Sequence, residues 1–118
     1  MQYALLIYGN SEALDRMSEE EGRRINTAMA EIVARPDVPG YLRLHRALSA
    51  TTVRSEHGKT LTTDGPFVDS KDFLGGFVLV QAENLDGALA VAEEVQALLG
   101  AAGAVEVRPV NEEPLVRA

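Results

Sequence analysis

The chain has no cysteine and no tryptophan, and only three tyrosines and three phenylalanines among its 118 residues. Without thiols it forms no disulfide, builds no thiolate metal site and carries no cysteine nucleophile. Positive charge is also scarce: 11 Lys and Arg stand against 18 Asp and Glu, a net charge of −7. Such a protein repels the phosphate backbone and anionic lipid surfaces, so neither nucleic acid nor membrane is expected as a partner. No apolar run approaches the ~18 residues of a membrane-spanning helix. Met1 leads directly into an apolar stretch with no basic segment before it, so no secretory signal is expected and the location expected is cytoplasmic. The two histidines, His45 and His57, do not stand at metal-ligand spacing, and neither a metal nor a cofactor is expected.

Apolar residues make up 46% of the chain and charged residues 25%, the composition of an ordinary globular protein. The length suits one domain, expected over residues 1–110, with residues 111–118 a loosely held tail. Residues 3–8 form a continuous apolar run stopped by Gly9 and Asn10, the pattern of a strand buried on both faces. Ser18 followed by Glu21 is a capping box, and Ile25, Ala28, Met29 and Ile32 then recur at helical spacing. Pro36 ends that helix near Arg35. Residues 41–48 alternate as a strand, with Tyr41, Arg43 and His45 on one face. Two further strands flank His57-Gly58, a two-residue hairpin turn with Gly58 at positive φ. A second apolar strand spans residues 73–82 and contains Gly75-Gly76, which suggests a bulge or a close backbone approach. Asn84 caps a second helix with a Leu85, Ala88, Leu89, Ala92, Val95 and Leu99 stripe, stopped by Gly100 or Gly103. A last strand ends at Pro109.

This order predicts an α+β fold: a ferredoxin-like βαββαβ plan with an extra hairpin. Two helices cover one face of a mostly antiparallel sheet. The strands at 3–8 and 73–82 are apolar on both faces, and two helices cover only one. A second copy packed on the other face is expected, giving a homodimer.

Chemistry is thinly marked. Gly58-Lys59-Thr60 ends like a P-loop, but Val53 stands where the first glycine belongs and a strand follows, so the motif is set aside. Asp64, Asp69 and Asp72 stand close together and could hold a hard cation, but Lys71 between them competes for the carboxylates, and turn and capping bonds account for them better. His45 is a candidate acid or base, since an unperturbed imidazole titrates near ~6.5; a structural histidine is the competing reading. Arg43, Arg46 and Arg54 sit on strands and suit an anionic ligand, with Arg43 and Arg54 the candidate binding residues; pairing with nearby Glu is the competing and favoured reading. Asp64, as a second candidate acid or base, and Phe67, Asp69 and Lys71 complete a candidate ligand-binding set on one turn-rich loop.

At Asp64-Gly65-Pro66-Phe67, with Lys71 and Leu74-Gly75-Gly76-Phe77 behind it, the chain resembles the YCII-related family in its DGPF-type branch. The opening strand from Met1, residues 50–54 and the closing residues 105–110 resemble the family as well. The resemblance implies a protomer of the dimeric α+β barrel superfamily and says little about activity. Related YCII proteins have a proposed His–Asp pair whose histidine lies in the first helix; no histidine stands between Ser18 and Arg35 here, so that pair does not transfer. The resemblance also implies a genomic association with sigma factors. Two roles are therefore expected: a small-molecule-binding dimer with acid–base activity, or a non-catalytic protein partner in sigma-factor-dependent transcription control. In a third, purely structural reading of the loop, Asp64 caps a turn and Phe67 plugs the core.

Overall fold

A computed structural model of the chain describes residues 1–113. Strand β1 (Gln2–Asn10) leads into a short helix α1 (Ser11–Arg16) and a longer helix α2 (Glu19–Val33). Strand β2 (Gly40–Arg43) and a 3-10 turn (Ala47–Ser49) precede the hairpin β3 (Thr51–Glu56) and β4 (Lys59–Asp64). Strand β5 (Asp72–Gln81), helix α3 (Leu85–Leu99), a second 3-10 turn and strand β6 (Gly103–Pro109) complete the order. The main sheet runs β2-β5-β1-β6 with every neighbour antiparallel, while β3 and β4, among the described residues, form a separate two-stranded sheet. Strand β5 lies between β2 and β1, and β1 lies between β5 and β6. Each long helix therefore joins two strands that flank a third. The expected α+β class and mostly antiparallel sheet are present.

Local chemistry explains the boundaries. Ser18 Oγ accepts from the Glu21 amide at 3.1 Å and starts α2. Asn84 Oδ1 accepts from the Gly87 amide at 3.1 Å and starts α3, which Gly100 ends at φ 55°. The hairpin turn holds His57 at φ 51° and Gly58 at φ 78°, the paired left-handed residues that match strand twist. Helix α1 has no counterpart in the sequence reading. Asn10 caps it by accepting from the Ala13 amide at 3.0 Å, but six residues are too few to display a helical stripe.

The strand expected over 41–48 stops at Arg43. Leu44 makes one last link, its amide donating to the Gly75 carbonyl at 2.8 Å. Gly75 is where β5 bulges: Ile7 pairs with Gly76 and Tyr8 with Leu74, leaving Gly75 extra. The ladder loses its register there, and His45 leaves the strand for an exposed connection. The close approach expected at this glycine pair is also present. A Cβ on Gly76 would lie 2.5 Å from the Leu42 carbonyl oxygen, so β2 closes on β5 only over a glycine.

Leu5, Val78 and Val80 from the sheet meet Met29 of α2 and Val91, Ala92 and Val95 of α3 in the core. Among the described residues no helix covers the opposite face of the sheet. Pairing places Ala4, Leu6, Phe77, Leu79 and Leu42 there, with Glu106 and Arg108 along one rim. Glu106 accepts from Arg108 Nε at 2.9 Å and holds that guanidinium's pKa above its ordinary value.

Candidate functional site

Helix α2 turns Gly22, Ile25 and Met29 toward the sheet, a single face at helical spacing, with the exposed Asn26 at its edge. Opposite them lie Tyr41 and Arg43 of β2 and the backbone of Gly9, Gly75 and Gly76. Leu14 of α1 and Met17 close one side. The result is a cleft of about 260 Å³ between α2 and the sheet. Its walls are largely apolar and its floor is glycine, because side chains at the bulge would fill it. Gly9 shows the tightness: a Cβ there would meet Phe73 Cζ at 3.1 Å and Leu14 Cδ1 at 3.3 Å. Gly22 is different, since a Cβ there would meet nothing within 4 Å. A glycine that packing does not require stands on the wall of the cleft.

A second concavity, about 570 Å³ and wide open, lies beyond Tyr8 and Phe73, which border both spaces. His45, Thr52, Pro66, Phe67 and Val68 line it. Phe67 is 76% exposed in the single chain, so it does not plug the protomer's core as the structural reading of the loop expects. The reason is that the loop ends are tied down while its middle stands outward. Gly65 donates its amide to the Ala50 carbonyl at 2.8 Å and accepts from Thr52 Oγ1 at 2.7 Å. At the other end Ser11 donates to the Lys71 carbonyl at 2.8 Å, and Asn10 Nδ2 donates to Asp72 Oδ1 at 3.0 Å.

The candidate residues named from sequence therefore separate. Arg43 lines the α2 cleft. His45 joins Arg43, Leu44 and Arg46 around a shallow depression and joins Phe67 in the second concavity. Lys71 Nζ lies 2.7 Å from Glu12 Oε1, which straps the loop to α1. Arg54 pairs along its own strand with Glu56 at 3.8 Å. Asp64 and Asp69 are exposed and line none of these spaces. Among the described residues no three His, Cys, Asp or Glu side chains converge as metal ligands.

Tyr41, Asn26 and Gly22 belong to the cleft and were not among the sequence candidates. Their signal was faint but present: Gly22 and Asn26 continue the Ile25–Met29 face of α2 with residues unsuited to a plain core stripe. Arg46 Nη1 lies 3.2 Å from Asp15 Oδ1, so α1 holds the 44–46 connection as it holds the 64–72 loop.

An α+β domain with a largely apolar cleft under its first long helix is thus defined. The YCII-related domain matches residues 1–114, and the chain belongs to that family. An uncharacterized protein from Rhizobium meliloti (strain 1021) is 32% identical over 114 residues, covering 93% of this chain and 92% of that one. The divalent cation tolerance protein of Thermus thermophilus overlaps with a TM-score of 0.37 at 17% identity, over 97% of this chain and 88% of its own. The periplasmic divalent cation tolerance protein CutA of Archaeoglobus fulgidus gives 0.36 at 16% identity, over 98% and 88%.

Proposed function

We propose that this YCII-related chain is a small-molecule-binding homodimer whose ligand enters the cleft between α2 and the sheet. The observation that carries this reading is Gly22. A glycine in a helix costs up to ~1 kcal/mol against alanine, and at Gly22, in the first turn of α2, no neighbour needs the space except the cleft itself. His45 borders the depression that Arg43 also lines, beside the cleft rather than in it, and is the candidate acid–base side chain of this reading.

The dimer rests on area. A folded monomer of 12.7 kDa exposes about 6,200 Å², and this chain exposes 8631 Å². The excess, roughly 2,400 Å², is of the size each partner gives up in a large permanent interface. The uncovered sheet face supplies the apolar centre of such an interface.

A thermal-shift screen against a metabolite library, run on the wild type, Gly22→Leu and Asp64→Ala, tests the site. A ligand at 100 times its Kd adds about 2.7 kcal/mol. A hit kept in Asp64→Ala and lost in folded Gly22→Leu supports the cleft. The reverse pattern moves the site to the 64–72 loop. No hit from a broad library overturns the ligand reading in favour of a protein partner, which pull-down would then identify.

A further inference from the structure

The chain carries 18 carboxylate side chains, yet none lines the α2 cleft. The charged side chains that do are Arg43 and Arg46. Arg46 is already matched, 3.2 Å from Asp15. Arg43 has no ion-pair partner among the described residues. A protein of net charge −7 thus presents one unmatched guanidinium to a cleft whose apolar wall is Ile25, Met29 and Leu14, with the neutral polar side chains of Tyr8, Tyr41 and Asn26 beside them.

We propose that the cleft takes an apolar monocarboxylate, a refinement that rests on the cleft being the ligand site. The carboxylate pairs with the Arg43 guanidinium, whose planar fork matches two carboxylate oxygens. The hydrocarbon part lies between Ile25 and Met29 above the glycine floor. One unmatched guanidinium balances one negative charge, which favours a single carboxylate over a phosphoryl dianion. A cavity of ~150 Å³ is enough for benzene. About 260 Å³ therefore accommodates one ring with a short acid chain.

The test is isothermal titration calorimetry with 3-phenylpropionate and its neutral amide, 3-phenylpropanamide. Both are titrated into wild type, Arg43→Gln and Gly22→Leu. The wild type is expected to bind the acid about tenfold or more tightly than the amide, the scale of a hydrogen bond to a charged group. Arg43→Gln brings the acid to the amide's affinity and leaves the amide within about twofold. Gly22→Leu abolishes binding of both while its melting curve shows a folded protein. Asn26→Trp, on the exposed flank of α2, provides the same block if Gly22→Leu fails to fold. Acid and amide bound alike by the wild type, or an Arg43→Gln protein that still prefers the acid, overturns the carboxylate assignment and leaves the cleft as a binding site. Neither probe binding the wild type overturns the assignment too, and the library screen then decides whether the cleft binds any ligand.

Discussion

Glycines divide sharply by what surrounds them. Gly76 is packed under the Leu42 carbonyl, and a methyl group there forces β2 off the sheet. Gly76→Ala is expected to cost about 1–3 kcal/mol, the range of core overpacking. Gly22→Ala is expected to stabilise by up to ~1 kcal/mol, because its Cβ enters open space and helix propensity improves. Urea melts of the two variants should move in opposite directions. Asp64 poses the third case. Its carboxylate makes no hydrogen bond or ion pair among the described residues, and the turn is held instead by Gly65 and Thr52. Asp64→Ala should therefore stay within about 0.5 kcal/mol of wild type in the same melts. A loss of ~1 kcal/mol or more would restore Asp64 as a turn cap.

At the scale of elements, α1 is the part that organises the site. Its two ion pairs, Glu12 to Lys71 and Asp15 to Arg46, hold the two connections that rim the cleft and the second concavity. Both pairs are solvent-exposed, so each contributes only ~0.2–1 kcal/mol to global stability. Their effect should instead be local. Glu12→Gln with Asp15→Asn is expected to speed amide exchange in residues 44–46 and 67–71 while the core of β1 and β5 keeps its protection. Hydrogen exchange that stays unchanged in those segments would refute the clip. Helix α3 behaves differently: it buries Ala88, Val91, Ala92 and Val95, so its Asn84 cap adds to a helix already held by packing. Asn84→Ala should cost about 1 kcal/mol of global stability, read from a urea melt.

The whole molecule is a slab, 47 × 45 × 19 Å, with helices on one broad side and an apolar sheet face on the other. Its radius of gyration is 16.4 Å, against about 13.5 Å for a compact domain of this length. Flatness of this kind is expected of a subunit that finishes its core in an assembly. Sedimentation equilibrium should give twice the chain mass of 12.7 kDa. Leu42 lies 55% exposed on the open face, so Leu42→Asp should spare the protomer fold and weaken the dimer by a buried, unpaired charge. A wild type that sediments at the mass of one chain removes the proposal.

Much of this architecture was legible in the linear order of residues, because the signals are local. Apolar runs, the Ser18 and Asn84 caps, the His57-Gly58 turn and the Gly75-Gly76 pair each act through neighbours a few positions away. They determined which segments are helix or strand, and the two-faced strands indicated that one sheet face stays uncovered by helices. The end of β2 at Arg43 was not legible, since it depends on a bulge at Gly75, in a strand far along the chain. Helix α1 was too short to leave a period. The site depended most on tertiary structure. Gly22, Asn26, Tyr41 and Arg43 lie on two elements, and only the crossing of α2 over β2 and β5 brings them around one cavity. The same folding carried Lys71 to Glu12 and left Arg43 without a carboxylate among the described residues, whereas Arg54 meets Glu56 two positions along its own strand. Charge and apolar content are properties of the chain. Which charge is left unmatched beside which apolar wall is decided by distances that exist only once the chain has folded.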